Sequence, residues 1–135
     1  MFDYSKDVTV TTNTTALSQA YATGDLAIGG RENLWDVVAT VFISISNTGD
    51  IAGAEVAQLY IQFPAAADEP LRQLRGFEKV TVAPGDSQAV IFSLKRRYLS
   101  TWDVDAQNWK IESGDYVLSV GASSRDLRAE GTLTV

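Results

Sequence analysis

Two carboxylates beside two tryptophans are the strongest candidate for chemistry in this sequence. Asp103 and Asp105 alternate along one short segment, and Trp102 and Trp109 frame it. Paired carboxylates can serve as general acid and base, and carboxylates beside aromatic rings are what a sugar-binding site would display. The same residues form a structural hairpin if the tryptophans cover the open end of a hydrophobic core. We favour the structural hairpin, with sugar contact and catalysis as the alternatives.

The same segment partly imitates a calcium-binding loop. Asp103, Asp105 and Gln107 repeat oxygen-bearing side chains at alternate positions, as such loops do. However, Asn108 stands where the loop requires a glycine, and Gly114 stands where it requires a bidentate glutamate. The sequence therefore predicts no metal site, and nothing in it indicates a cofactor.

The amino-acid inventory excludes several classes of site. The 135 residues include no cysteine and no histidine, which rules out disulfides, Cys/His zinc sites, cysteine nucleophiles and Ser-His-Asp triads. The net charge is −6 at pH 7, so the averaged electric field repels nucleic acid and anionic lipid. The apolar runs are far shorter than the roughly 18–20 residues that span a bilayer. We expect neither nucleic acid nor a membrane as a partner.

Basic side chains gather around two predicted strands of this acidic chain. They are Arg72, Arg75, Lys79 and the run 95–97. Salt bridges to Glu78, Asp86 or Asp103, together with edge charges that prevent aggregation, give a structural explanation. Docking onto another protein surface is the alternative, since arginine is enriched at interfaces.

Apolar residues recur with a period of two along most of the chain, which predicts strands rather than helices. The odd-numbered residues of 37–45 and 57–63 should face one core, together with alternate residues of 90–94. Between Phe77 and Val80 the apolar positions change parity, which predicts a β-bulge. Helix should be limited to about one turn within 95–101.

Turn residues separate seven predicted strands at intervals of about ten residues, from an opening strand near 7–12 to a last strand at 131–135. Two prolines make 64–70 an exposed loop. Gly114 lies two residues before Tyr116, the spacing of a tyrosine corner. We therefore predict an all-β fold, a two-sheet antiparallel sandwich of the fibronectin type III or immunoglobulin-like kind, as a single domain over residues 1–135.

One irregular stretch, residues 13–36, is longer than sandwich loops usually are. It predicts either an extended connection lying on another surface or a mobile flap. Tyr21 and Trp35 within it can pack on the domain or anchor it to a partner. Asn13-Thr14-Thr15 is an acceptor sequence for N-glycosylation, which matters only outside the cytosol.

A series of short motifs follows a fixed order between residues 37 and 135. They are Asn47-Thr48-Gly49, Glu55-Val56-x-Gln58-Leu59-Tyr60, Arg72-Gln73-Leu74-Arg75-Gly76-Phe77, Pro84-Gly85, Leu99-Ser100-x-Trp102-Asp103, Gly114-x-Tyr116 and Gly121-Ala122-Ser123-Ser124. In this order they closely resemble the fibronectin type III-like C-terminal domain of glycoside hydrolase family 3 β-glucosidases, particularly the secreted fungal type. Phe2-Asp3-Tyr4-Ser5 is similar to the sequence segment that joins this domain to the catalytic part of such enzymes.

The resemblance implies an extracellular, non-catalytic domain. Family members carry an Asp nucleophile on a β/α barrel and usually a Glu acid/base on a following α/β domain, and this sequence contains neither. No catalytic residue can therefore be carried across. The implied partner is the pair of catalytic domains, which the chain would stabilise by packing beside them, with Arg72 and Arg75 facing their acidic residues.

Two other functions are compatible with the residues. An independent carbohydrate- or polymer-binding module would use Trp102, Trp109 and Tyr98 as a flat platform for stacking against polysaccharide. An adhesion or oligomerisation module would pair an exposed strand edge with a neighbouring copy.

Overall fold

The chain folds mainly into antiparallel strands, and the computed structural model describes residues 2–5, 8–27, 29–67 and 72–135. The strands are β1 (Phe2–Tyr4), β2 (Thr9–Thr12), β3 (Leu26–Ala27), β4 (Gly30–Arg31), β5 (Val37–Asn47), β6 (Gly53–Gln62), β7 (Gln73–Val82), β8 (Ser87–Lys95), β9 (Thr101–Asp103), β10 (Asn108–Lys110), β11 (Asp115–Ser123) and β12 (Asp126–Thr134). The helices are α1 (Thr14–Leu17), α2 (Arg96–Leu99) and two 3-10 turns, Glu32–Trp35 and Ala65–Ala67. Across the described residues, no helix is long and apolar enough to cross a bilayer.

Two four-stranded sheets enclose the core. In the first, β8 pairs along most of β5, while β1 and β2 pair with different parts of β5. The second has the order β12-β11-β6-β7, and every pairing is antiparallel. The predicted two-sheet antiparallel sandwich is confirmed. The seven predicted strands correspond to β2, β5 to β8, β11 and β12, although Asp7 of the opening strand lies outside the described residues.

The core lies almost where the period-two alternation of the sequence predicts it. The odd-numbered residues of 39–45 and 57–63 are buried, as are Val90, Phe92 and Leu94. Val37 is the exception, because the register between β5 and β8 shifts between Val37 and Ala39 and leaves Val37 about half exposed. Burying a large aliphatic side chain contributes about 1.5–3 kcal/mol, so this shared core provides most of the stability.

The predicted bulge between Phe77 and Val80 was wrong. The register of β6 against β7 shifts where Leu59 pairs with Gly76 and Tyr60 pairs with Leu74, which makes Arg75 the extra residue. The side chain of Phe77 points away from the core and is 69% exposed. The parity change in the sequence therefore marks an apolar side chain that points outward.

The predicted tyrosine corner is confirmed. The Tyr116 hydroxyl donates to the carbonyl oxygen of Glu112 at 2.8 Å, and burial raises the pKa of this phenol well above its usual range. Its ring meets that of Phe63 edge to face, with centroids 5.4 Å apart. The corner fixes the start of β11 against the core.

The irregular stretch 13–36 contains short elements and lies on the sandwich. The Asn13 side chain caps α1 by accepting from the amide of Ala16 at 3.0 Å. Farther along, the amide of Ile111 donates to the carbonyl of Ala20 at 2.7 Å, and the amide of Ala22 donates to Trp109 at 3.0 Å. These contacts correspond to the packed connection rather than to the mobile flap. In the predicted loop 64–70, Ala65–Ala67 form a 3-10 turn, and residues 68–70 lie outside the described residues.

Candidate functional site

The Asp103 segment forms a hairpin of β9 and β10, in which Asp103 has structural partners. Its Oδ1 accepts from the amides of Asp105 at 3.0 Å and Ala106 at 3.1 Å, which fixes the turn. Its Oδ2 accepts from the Tyr21 hydroxyl at 2.9 Å. This bond links the irregular stretch 13–36, called the early connection from here on, to the hairpin. The Ala106 amide, followed by the Tyr21 hydroxyl, holds the pKa of Asp103 below its ordinary value.

This geometry does not supply an acid/base pair. A general acid at neutral pH needs a carboxyl pKa raised by burial, whereas the pKa of Asp103 is lowered. Asp105 is an exposed residue of the turn. Within the described ranges, no group of three or more acidic side chains is placed to hold a metal ion.

The charge on Asp103 makes the stability of the fold depend on pH. Because the folded-state pKa of Asp103 is depressed, the ionised carboxylate stabilises the fold at any pH above the ordinary pKa of an aspartate, and that contribution is lost as the pH falls through the folded-state pKa. We expect Asp103→Asn to be less stable than the wild type at neutral pH, with a gap that narrows at an acidic pH where the Asp103 carboxylate of the folded protein becomes protonated. Urea unfolding at both pH values measures this, and a gap of constant size would contradict it.

The two tryptophans of the hairpin do not make a flat sugar platform. The rings of Trp102 and Trp109 lie 5.4 Å apart at an interplanar angle of 73°. The Arg97 guanidinium stacks 3.7 Å from the centroid of the Trp109 ring and covers one of its faces. The structure thus brings Trp102, Asp103 and Trp109 together, but as a packed hairpin rather than as coplanar stacking surfaces.

The predicted basic residues take up different roles. Arg96 is buried and donates to the carbonyls of Gln19, at 2.6 Å, and Ala16. Arg75 donates from Nε to the carbonyl of Tyr98 at 3.0 Å. Arg72 is exposed immediately before β7. The burial of Arg96 could not be predicted from the sequence, because it depends on where the early connection lies.

A groove of about 460 Å³ lies against β7 and α2. It is lined by Trp35, Leu74, Arg75, Gly76, Phe77, Arg97 and Tyr98. Trp35 and Leu74 are each about half exposed, and Phe77 is more exposed than either. The sequence did not predict that Leu74 and Phe77 lie on the surface, although the parity change at Phe77 was a signal for it.

The groove combines apolar and cationic side chains on an acidic protein. Its described lining includes two arginines and no carboxylate, although the whole chain carries a net charge of −6. Lys95 lies nearby, with Nζ 5.9 Å from the centroid of the Trp35 ring. An exposed apolar patch with arginines is typical of a protein–protein interface.

Comparison with protein families and curated proteins identifies relatives for most of the chain. The family model of the fibronectin type III-like domain matches residues 55–124. Probable β-glucosidase D of Aspergillus niger is 56% identical over 115 residues, which are 85% of this chain and 15% of that protein. Probable β-glucosidase N of Emericella nidulans is 50% identical over 128 residues, which are 94% of this chain and 19% of that protein.

Solved structures show the same relationship over the whole chain. The β-D-glucoside glucohydrolase from Trichoderma reesei superposes with a TM-score of 0.91 at 44% identity, covering 100% of this chain and 19% of that one. A glycoside hydrolase family 3 β-glucosidase from Bifidobacterium adolescentis superposes with a TM-score of 0.73 at 29% identity, covering 100% and 17%. The chain therefore spans less than a fifth of the length of these relatives.

Proposed function

The chain belongs to the fibronectin type III-like domain family, and from this we propose that it is a non-catalytic accessory domain of a glycoside hydrolase family 3 β-glucosidase. Its function is to pack against the catalytic domains and stabilise them. The observation that carries the proposal is the exposed groove, in which apolar and arginine side chains are gathered on a domain that spans 15% of its 56%-identical relative. Interfaces between domains of one chain have this mixed composition.

The acidic residues support a role without chemistry. A retaining glycosidase needs two carboxyl groups about 5–5.5 Å apart across a sugar cleft, one of them held protonated by burial. The best candidate, Asp103, is engaged by two turn amides and a tyrosine hydroxyl, and its pKa is lowered. Catalysis in the parent enzyme is therefore assigned to other domains.

We place the parent enzyme outside the cell. The acceptor asparagine, Asn13, is exposed, and it caps α1 through its side-chain oxygen, whereas a glycan attaches to the side-chain nitrogen. Capping and glycosylation are thus compatible at this residue.

A chimeric enzyme tests the proposed function. In it, the matching segment of the 56%-identical relative is replaced by this chain, and a second variant lacks the segment. We expect the chimera to hydrolyse an aryl β-glucoside and to keep its activity on heating, whereas the deletion variant loses activity quickly. The isolated chain should release no aglycone. A deletion variant as stable and active as the chimera would contradict the proposal.

A further inference from the structure

We propose that Asn13 carries an N-linked glycan, and that this glycan covers a surface depression beside β2 and β5. The inference rests on the part of the proposed function that places the parent enzyme outside the cell, because the modification is made during secretion. Asn13-Thr14-Thr15 is the one Asn-x-Ser/Thr sequence among the 135 residues, so the chain offers a single acceptor of this kind.

The fold leaves the side-chain nitrogen of Asn13 unused. Its Oδ1 accepts from the amide of Ala16 at 3.0 Å, and no described residue accepts a hydrogen bond from its Nδ2. The other three asparagines each donate from Nδ2 to another part of the fold, and they are Asn33, Asn47 and Asn108. A sugar can therefore be attached at Asn13 without the loss of a structural hydrogen bond.

The acceptor sequence lies on the surface at the start of α1. Asn13, Thr14 and Thr15 are all exposed, so a glycan here can extend into solvent. The backbone amide of Asn13 donates to the carbonyl of Val38 at 2.9 Å, which fixes the residue against the start of β5. Because the side-chain amide is planar, the capping bond to Oδ1 also restrains Nδ2. The attachment point is thus held in place on both sides.

A depression of about 220 Å³ adjoins this attachment point. Asn13 lines it, together with residues 11, 12 and 37–40. Val37 lies there about half exposed, at the register shift between β5 and β8. The described lining is uncharged and combines threonine hydroxyls with aliphatic groups, which match the hydroxyls and the apolar C–H groups of a sugar ring. The first sugars of the glycan are therefore placed over Val37.

The transfer requires a lipid diphosphate-linked oligosaccharide as its second substrate. Nδ2 of Asn13 attacks C1 of the first N-acetylglucosamine, so that an N–C1 bond forms and the bond from C1 to the diphosphate oxygen breaks. The lipid diphosphate is the leaving group, and the proton lost from Nδ2 leaves with it. The hydroxyl of Thr15 is the group that the transferase requires two residues after the asparagine.

Secretion of this chain from yeast, behind a cleavable leader, tests the attachment. Mass spectrometry examines the peptide that contains Asn13 before and after treatment with peptide N-glycosidase, which releases the glycan and converts the asparagine to aspartate. Thr14→Val and Thr15→Val are a matched pair, since each replaces one exposed hydroxyl of α1 by a methyl group. We expect the glycan on the wild type and on Thr14→Val, and none on Thr15→Val.

The outcomes separate the inference from the proposed function. An unmodified Asn13 peptide in the wild type would overturn the inference and would leave the accessory role to be judged by the chimera. A glycan that persists in Thr15→Val, or that the glycosidase does not release, would also overturn it. A failure of the chimera would contradict the accessory role without changing the glycan found on this chain.

A single introduced cysteine measures what the glycan covers, since the chain has no cysteine of its own. A maleimide should label Val37→Cys several times more slowly in the glycosylated chain than after release of the glycan. Ile51→Cys is the control, because Ile51 is 82% exposed and follows the opposite end of β5, so its labelling rate should not change. Equal rates at position 37 with and without the glycan would overturn its placement over the depression.

Discussion

Replacing Gly121 by alanine is expected to lower the free energy of unfolding by about 3 kcal/mol or more. Gly121 lies where the register of β11 against β12 shifts on both of its sides. A Cβ at this residue would lie 2.7 Å from Cα of Leu127 and 2.9 Å from the carbonyl carbon of Asp126. Both are backbone atoms of β12, so relief requires moving a strand that the ladder holds in place. Urea unfolding of the Gly121→Ala variant measures the loss.

Gly85→Ala is the control for this substitution. Among the described residues no atom beyond the chain neighbours lies within 4 Å of an added Cβ at Gly85, but the φ angle of 78° is left-handed. That substitution should therefore cost only conformational strain, about 1 kcal/mol. A loss at Gly121 no larger than at Gly85 would mean that β11 and β12 do not approach as closely as described.

Replacing Arg96 by methionine is expected to release the early connection from the sandwich, at a cost of about 2–4 kcal/mol. Arg96 is 1% exposed, and its guanidinium donates to the carbonyls of Gln19 and Ala16. Burial lowers the pKa of Arg96, yet the side chain stays charged at neutral pH. Methionine fills part of the space without the cost of a buried charge, so the expected loss comes from two carbonyls left without this donor.

Hydrogen exchange measures where the Arg96→Met variant opens. Exchange should accelerate at the amides of Leu17 and Ser18, which bond within the connection, and at Ala22, which bonds to Trp109. The amides of β5 and β6 should keep their protection. Arg97→Met is the matched control, since its guanidinium lies over the Trp109 ring and should contribute about 0.5–1 kcal/mol. Uniform acceleration across the whole domain would contradict a local role for Arg96.

The sequence predicts the sandwich well because alternation reports directly on burial. Along Ala57 to Phe63, and again at Val90, Phe92 and Leu94, each apolar residue with the predicted parity is buried. The tyrosine corner was predictable for a related reason, because it depends on the local spacing of Gly114 and Tyr116. Local patterns of this kind need no knowledge of distant contacts.

Features that depend on distant partners could not be predicted in the same way. Phe77 is of a residue type that is common in cores, and only the pairing of β6 with β7 shows that its side chain points outward. Arg96 has the same residue type as its partly exposed neighbour Arg97, and only the contacts with the segment around Ala16 and Gln19 show that it is buried. The register of Val37 likewise depends on a shift in the pairing with β8.

The sequence offered candidate residues for the site but not their roles. Docking was the alternative left open for Arg75, beside salt bridges, and the structure places Arg75 in the groove. For Trp102 and Asp103 the structural hairpin was favoured over chemistry, and the structure places them in a hairpin in which turn amides and a tyrosine hydroxyl bond to the carboxylate. Residue type alone does not distinguish a carboxylate that reacts from one that fixes a turn, because the distinction lies in its hydrogen-bond donors.

The most direct measurement is the melting temperature of the 56%-identical relative, lacking its matching segment, as this chain is added in increasing amounts. We expect a rise that saturates, since a domain that binds only the folded catalytic domains stabilises them by mass action. We also expect a much weaker rise with the Phe77→Ser variant than with the Ile91→Ser control on β8. A melting temperature that stays constant at every concentration of the wild-type chain would contradict the proposed role as a stabilising accessory domain.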